Sequence, residues 1–399
     1  MRKAITQVLF SNFFSAGLGF ALSIFISNAV GAVAFGKYTL LLTISMIVYT
    51  VFDFGFCNGV VILLNKYDRE PALKGVNRLY LKYFVLSSII ILLLSLFVKK
   101  IYSLSVLEYL FISLGSSMFM LYKYVISIKQ AKREWVVFSK LVVLNNVVKA
   151  ILIVVLFVFI GYRDFSQLIS LLLIQYIFIV CISLFLARKD VFNISGNKEL
   201  CKSDIISVVT PFGIMNLLII LSTRLDVILV EYLFGEKDLG VYAIGSMLTL
   251  AVPLITDAIM KTLLGRAVNA DKQYLKTIHN YQKKYLWHVV FILILIIYCS
   301  QFLFDMFFTS DYEYAYKIFN VLLVAQFGSV FFTPLETYYY GNNVNYILKL
   351  KLIQVVILIV LSLILSNYLE LISIAVAFLF SRYIPWLLMF LRSKQEYAE

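Results

Sequence analysis

The sequence is poor in the residues on which soluble enzymes build their chemistry. Its 399 residues include two histidines (His279, His288) and four cysteines (Cys57, Cys181, Cys201, Cys299). Their spacing suits no metal site, disulfide framework or catalytic Cys–His pair, so neither a metal nor another cofactor is expected. Five prolines and the lack of a Ser/Gly-rich tract argue against a disordered tail or an appended soluble domain. Charge is scarce too, at 14% of residues, where soluble domains carry about 25%. The tripeptide Asp53-Phe54-Gly55 is not accompanied by a Gly-rich phosphate loop or an HRD motif, which excludes a kinase reading.

What the chain has in excess is apolar length. It is 62% hydrophobic, with a mean hydropathy of +0.92. Twelve apolar runs lie near 5–28, 38–63, 79–98, 104–128, 138–160, 165–187, 205–233, 239–263, 285–307, 316–340, 349–367 and 370–391. About 20 apolar residues cross about 30 Å of hydrocarbon as a helix, so the expected fold is an all-α, polytopic integral membrane protein. The first run follows Met1-Arg2-Lys3 without a small-residue cleavage site and reads as a retained span.

The net charge of +13 follows from topology. Of the 35 Lys and Arg, six (Lys37, Lys99, Lys100, Arg163, Lys237, Lys317) fall on one side of the membrane. Three lie within spans, and the other 26 share the side that holds both termini. The positive-inside rule therefore puts both termini in the cytoplasm. The basic excess is expected to meet anionic lipid, not nucleic acid.

A shift of 204 residues lays 12–53 on 216–257 with seven identities, among them Asn12/Asn216, Gly31/Gly235, Gly36/Gly240, Tyr38/Tyr242 and Asp53/Asp257. Each copy reads as span, tight outer turn, span, with Gly36 and Gly240 at the turn and Tyr38 and Tyr242 near the interface. Six spans separate the copies, so they share one orientation, as parallel repeats of transporters do. The polar stretch Arg188 to Asp204 then divides two six-helix lobes, 1–195 and 196–399.

An ionisable group at membrane depth costs about 2.5–3.5 kcal/mol, so each needs a partner or a task. Eight are the candidates, away from the ends of the runs or set apart by their surroundings: Asp53, Lys149, Arg224, Asp226, Glu231, Asp257, Glu336 and Arg382. Arg224 sits about 27 Å along its helix from residue 206, past mid-membrane. It and Asp226 point about 200° apart, so each looks to another helix for its partner. A planar guanidinium suits phosphate oxygens, which makes Arg224 a candidate anchor for an anionic substrate, with Asp226 beside it. The same position also fits an ion pair that only fixes packing, or a side chain snorkelling outward. Asp53 and Asp257 lie about 22 Å from the outer tyrosines, in the inner half of their spans. They suit a paired gate or an ion site, or equally two acids held by a local lysine, such as Lys261, or by a backbone N–H. Lys149 either adds positive charge to a cavity or snorkels past Asn145 and Asn146. Glu336 follows Pro334, where a kink frees a carbonyl; it suits a coupling proton or cation, or a plain helix-end acid. Arg382 reads as a topology anchor.

The segments "GAVAFGKY" and "DFGF" (Gly31 to Tyr38, Asp53 to Phe56) and "TRLDVILVEYLFGEKDLGVYAIGS" (Thr223 to Ser246) resemble the Wzx O-antigen flippases. Those exporters belong to the multidrug/oligosaccharidyl-lipid/polysaccharide (MOP) superfamily. The resemblance implies two pseudo-symmetric six-helix lobes around a central cavity, in the bacterial inner membrane. It implies transfer of an undecaprenyl-diphosphate-linked oligosaccharide of O-antigen or capsule type from the cytoplasmic to the periplasmic leaflet. Its other implied partners are membrane lipid and further polysaccharide-assembly membrane proteins. The family's cationic cavity residues on the seventh span fall on Arg224, and its turn signature on Gly36, Tyr38, Gly240 and Tyr242, as structural residues. Coupling to H+ or Na+ would run through Asp53, Asp257 or Glu336. Two other readings stay open: a MATE-like exporter of small molecules, and a polysaccharide polymerase or ligase, which the short outer loops disfavour.

Overall fold

The computed structural model describes residues 2–67, 69–102, 104–162, 164–191, 200–254, 256, 260, 263 and 272–398. Regular structure among them is helical throughout, with no strand. Hydrocarbon offers a backbone no hydrogen-bond partner, and a helix satisfies its own N–H and C=O groups.

The helices are α1 (Arg2–Asp53), α2 (Phe56–Lys66), α3 (Arg69–Ile101), α4 (Val106–Leu110), α5 (Ser116–Ala131), α6 (Trp135–Val154), α7 (Phe165–Val191), α8 (Lys202–Phe234) and α9 (Glu236–Leu248). They continue as α10 (Lys272–Phe307), α11 (Ala315–Asn342), α12 (Val344–Leu369) and α13 (Ile372–Ala398). Ten described helices are long and apolar enough to span a membrane. The first of these, Phe10–Lys66, has 57 residues and takes in two of the expected runs. The expected run 239–263 starts in α9 and then enters residues outside the description, which accounts for ten spans where twelve runs were expected.

Contacts group the chain into two compact units, Met1–Leu22 with Leu41–Ile220, and Ser23–Leu40 with Leu221–Glu399. Contact units and lobes are different divisions, since 23–40 packs with the second unit and 200–220 with the first. In the first unit, α2, α3, α5 and α7 share an aliphatic core built on Val60, Leu63, Val76 and Ile179. Tyr124 donates to Asn77 Oδ1 at 2.8 Å, and Asn77 Nδ2 donates to the Asp190 carbonyl at 2.6 Å. Below them Lys129 bridges Asp190 (2.6 Å) and Glu134 (2.8 Å), while Lys132 reaches Asp190 at 2.5 Å. In the second unit, α10 to α13 enclose Leu275, Ile278, Leu335, Ile347, Trp386 and Met389.

The internal repeat survives in the backbone. Gly31 (φ 79, ψ 169) and Gly235 (φ 86, ψ −178), equivalent under the 204-residue shift, take the same extended conformation at positive φ, a region open essentially to glycine alone. These two residues make the turns. Gly36 and Gly240 instead lie in the helices that follow, both within the second unit. A Cβ on Gly36 would stand 1.9 Å from the Glu236 carbonyl oxygen, and one on Gly240 would stand 2.0 Å from that of Ala32. Ala32 and Glu236 are themselves repeat equivalents, so the two copies cross about a local two-fold at these glycines. This corrects the expected turn role: the missing side chains serve close helix packing. Tyr38 and Tyr242 are 2% and 0% exposed, not interfacial as expected, because the crossing turns both rings inward.

Candidate functional site

The first unit holds a helix break at membrane depth. Phe54 (φ 46) and Gly55 (φ 86) interrupt what the sequence presents as one span, leaving α1 to end at Asp53 and α2 to begin at Phe56. Packing explains the break: the Phe54 carbonyl lies against Gly213 of α8, two residues past Pro211, where any Cβ would meet it at 2.7 Å. The first N–H groups of α2 are left without helical partners, and Asp53, 5% exposed, accepts from Cys57 N at 3.2 and 3.3 Å. A carboxylate there answers both the orphan N–H and the positive end of the helix dipole. That is why an acid follows so apolar a run. Of the two readings of Asp53, the local backbone hold is present in the geometry.

A cavity of about 250 Å³ opens at this break, lined by Tyr49, Thr50, Asp53, Cys57, Lys123, Asn216, Ile219 and Ile220. Asn58 Nδ2 donates to Asn216 Oδ1 at 3.1 Å across its rim. Lys123 of α5 is half-buried, with its ammonium 5.3 Å from the Phe119 ring centre, and its charge bears on Asp53. Among the described residues Lys123 enters no ion pair. Irregular backbone, an acid and a lysine thus meet at one mostly apolar cavity, where each charged group is poorly solvated.

The second unit gathers the other charges. Asp226 of α8 is 4% exposed and accepts from Tyr242 Oη of α9 at 2.8 Å, while its Oδ1 has no partner among the described residues. Arg224 is half-buried and likewise unpaired among them, near enough for its charge to act on Asp226. Glu336 of α11 pairs with Lys351 of α12 at 2.7 Å. Arg382 of α13 is not the anchor expected of it. Its guanidinium lies 4.7 Å from the Phe378 ring centre with Nε buried and without a partner among the described residues, and its charge reaches both Asp226 and Glu336. Arg224, Asp226, Glu336, Lys351 and Arg382 thus form one polar interior within this unit. Lys149 is half-buried on α6. Asp257 and Lys261, and with them the expected pairing of Asp53 with Asp257, lie outside the described residues.

Sequence reasoning passed over Lys123 and Lys351. Each falls near the end of an apolar run and looks like a flanking charge. The signal for Lys123 was its surroundings, "MFMLYKYVISIK", where four of the five residues beyond it are apolar before the next charge.

A sequence profile of the polysaccharide biosynthesis protein family matches residues 1–264. No curated protein matches the chain. Among solved structures it resembles the lipid II flippase MurJ in an inward closed conformation, with a TM-score of 0.76, 16% identity, and coverage of 98% of this chain and 88% of that one. It also resembles an inward-facing MATE-family multidrug transporter of the MOP superfamily, with a TM-score of 0.71, 13% identity, and coverage of 96% and 94%. The MATE multidrug transporter DinF-BH gives 0.72 at 17% identity, over 99% and 95%. At these identities the likeness is one of fold.

Proposed function

The chain belongs to the polysaccharide biosynthesis protein family, and from that membership we propose that it is a flippase for lipid-linked oligosaccharide. The single observation that carries this reading is the pairing of the family match with cations inside the apolar runs that enter no ion pair among the described residues, Lys123 at the first-unit cavity and Arg224 in the second unit. A polyprenyl tail can stay in hydrocarbon during transfer, but a diphosphate and sugar hydroxyls cannot without partners. Lysine and arginine side chains at depth supply those partners.

The proposed substrate is an undecaprenyl-diphosphate-linked oligosaccharide of O-antigen or capsule type, as in Wzx flippases of the MOP superfamily. It passes from the cytoplasmic to the periplasmic leaflet of a bacterial inner membrane, with both termini of the chain in the cytoplasm and six-helix lobes at 1–195 and 196–399. Arg224, Lys149 and Asp226 would meet the headgroup. Asp53, Asp257 and Glu336 are the acids proposed for coupling to H+ or Na+. The protein acts as a carrier, not an enzyme, and ligand binding shifts it between states open to either leaflet.

The test is complementation of a strain that lacks its polysaccharide flippase, scored by surface sugar. Restoration by the native chain, and loss with lipid-linked units accumulating in Arg224→Ala or Lys123→Ala at normal protein levels, is the expected result. No restoration by a stably inserted native chain, across strains with different repeat units, overturns it. The runner-up, export of small molecules, is favoured by the likeness to multidrug transporters. It predicts drug sensitivity, and unchanged surface sugar, when the gene is deleted.

A further inference from the structure

Helix α10 is longer than a membrane requires. Its 36 residues extend about 54 Å at 1.5 Å each, against about 30 Å of hydrocarbon. The stretch from Val289 to Phe307 is apolar apart from Ser300, Gln301 and Asp305 and supplies about 28 Å by itself. The segment from Lys272 to His288 therefore stands beyond the hydrocarbon.

That segment is buried along one side as far as Gln282 and exposed all round from Lys283 to His288. Leu275, Ile278, His279 and Gln282 are buried and mark the inner face. His279 Nε2 hydrogen-bonds Ser393 Oγ of α13 at 3.0 Å, and Gln282 Nε2 donates to the Phe331 carbonyl of α11 at 2.9 Å. On the other side Trp287, Tyr281 and Tyr285 are 75%, 57% and 45% exposed. The two tyrosine rings lie parallel with centres 6.2 Å apart, and the Lys284 ammonium is 5.6 Å from the Tyr285 ring centre. Lys283 and Lys284 are exposed, and α13 adds exposed Lys394, whose ammonium is 4.7 Å from the Phe390 ring centre. The His279 ring packs edge-on against Phe390 at 5.0 Å between centres, the same ring the Lys394 ammonium covers, and Lys283 lies one helical turn from His279, so these two lysines from different helices flank one spot. From Lys272 to Phe304 the sequence has no Asp or Glu. Glu396 on α13 is engaged by Arg392 at 2.6 Å.

We propose that α10 and α13 form a docking site for the headgroup of an anionic phospholipid. Lys283, Lys284 and Lys394 hold its phosphate, and Trp287, Tyr281 and Tyr285 sit at headgroup level. Amphipathic rings prefer that depth, and basic side chains beside a span attract anionic lipid. Lysine suits the task because its ammonium acts as a point charge and needs no fixed bidentate geometry. Lys276 lies about 10 Å farther along the helix, roughly one Debye length, and contributes little. This proposal is independent of the transport reading.

The chain has three tryptophans. Replacing Trp135 and Trp386 with Phe leaves Trp287 to report on bound lipid through quenching by tail-brominated lipids. In phosphatidylcholine vesicles, brominated phosphatidylglycerol should quench Trp287 at no more than about one-fifth the mole fraction that brominated phosphatidylcholine needs, the preference one surface lysine confers and the three together exceed. Lys283→Gln/Lys284→Gln/Lys394→Gln should abolish that preference, while Lys276→Gln keeps it. Should the double Phe variant fail to fold, spin-labelled versions of the two lipids measure the same preference on the native chain. Equal quenching by both lipids, or a preference that survives the triple substitution, overturns the proposal. So does displacement by inorganic phosphate at matched ionic strength, which would mark a free-anion site.

Discussion

Substitution of Gly36 or Gly240 by alanine tests the pseudo-symmetric crossing on which the second unit is built. An added Cβ on Gly36 stands 1.9 Å from the Glu236 oxygen and 2.8 Å from Gly240 N. Carbon–oxygen contacts between helices settle near 3.3 Å, so the helices must part by about 1.4 Å. The obstacle is backbone, which has no rotamer to yield, and that puts the cost at the upper end of the 1–3 kcal/mol typical of overpacking. The gain of about 1 kcal/mol in helix propensity from Gly to Ala offsets part of it. The expected net loss is about 2 kcal/mol for either variant. Gly17, with nothing within 4 Å of its virtual Cβ, is the control; Gly17→Ala should be neutral or stabilising by up to about 1 kcal/mol. Once one alanine has parted the helices the second meets less resistance, so the double variant should cost less than the sum by about 1 kcal/mol. Reversible unfolding in mixed micelles measures all four chains. Gly36→Ala and Gly240→Ala as stable as Gly17→Ala, or strict additivity, would refute the close crossing.

The same glycines show how far the sequence could be read. Helical class followed from apolar run length, because hydrocarbon leaves the backbone few other options. The 204-residue register was legible too, and the matching dihedrals at Gly31 and Gly235 bear it out. What one chain could not reveal was which repeated glycine turns and which packs, since both are written with the same letter. The break at Phe54–Gly55 was hidden for a related reason: it depends on the backbone of Gly213, some 160 residues away. At the candidate sites, the charges inside the runs were found but their partners were not. Asp226 meets Tyr242, and Glu336 meets Lys351, through helix faces that periodicity alone does not orient toward each other. Lys123 was missed because a lysine near a run's end looks the same whether it flanks a span or lines a cavity.

The hydroxyl on Tyr242 is the one donor to Asp226 from another side chain among the described residues; Tyr242→Phe should cost about 1.5–3 kcal/mol, the worth of a hydrogen bond to a charged group, measured by unfolding in micelles. In the same assay Asp226→Asn made in the Tyr242→Phe background should add little, and full additivity would dissolve the pair. Lys129→Ala removes the shared cation from Asp190 and Glu134; with Lys132 still on Asp190 the loss should be about 2 kcal/mol, below the 3–5 of a fully broken buried pair, and an unchanged stability would mean the cluster is solvated. Lys351→Met separates two roles for Glu336. It strands the carboxylate at membrane depth, where an unpaired charge costs about 2.5–3.5 kcal/mol, so folded yield should fall sharply. Adding Glu336→Gln removes the stranded charge and should restore the yield, because an uncharged pair of similar shape leaves nothing ionic to solvate. The restored protein then isolates coupling from folding. If Glu336 carries the coupling ion, the double variant folds yet its transport no longer responds to an imposed ion gradient. A folded double variant that still responds as the native chain does reduces Glu336 to a structural acid, and leaves Asp53 and Asp257 as the acids through which a gradient could act.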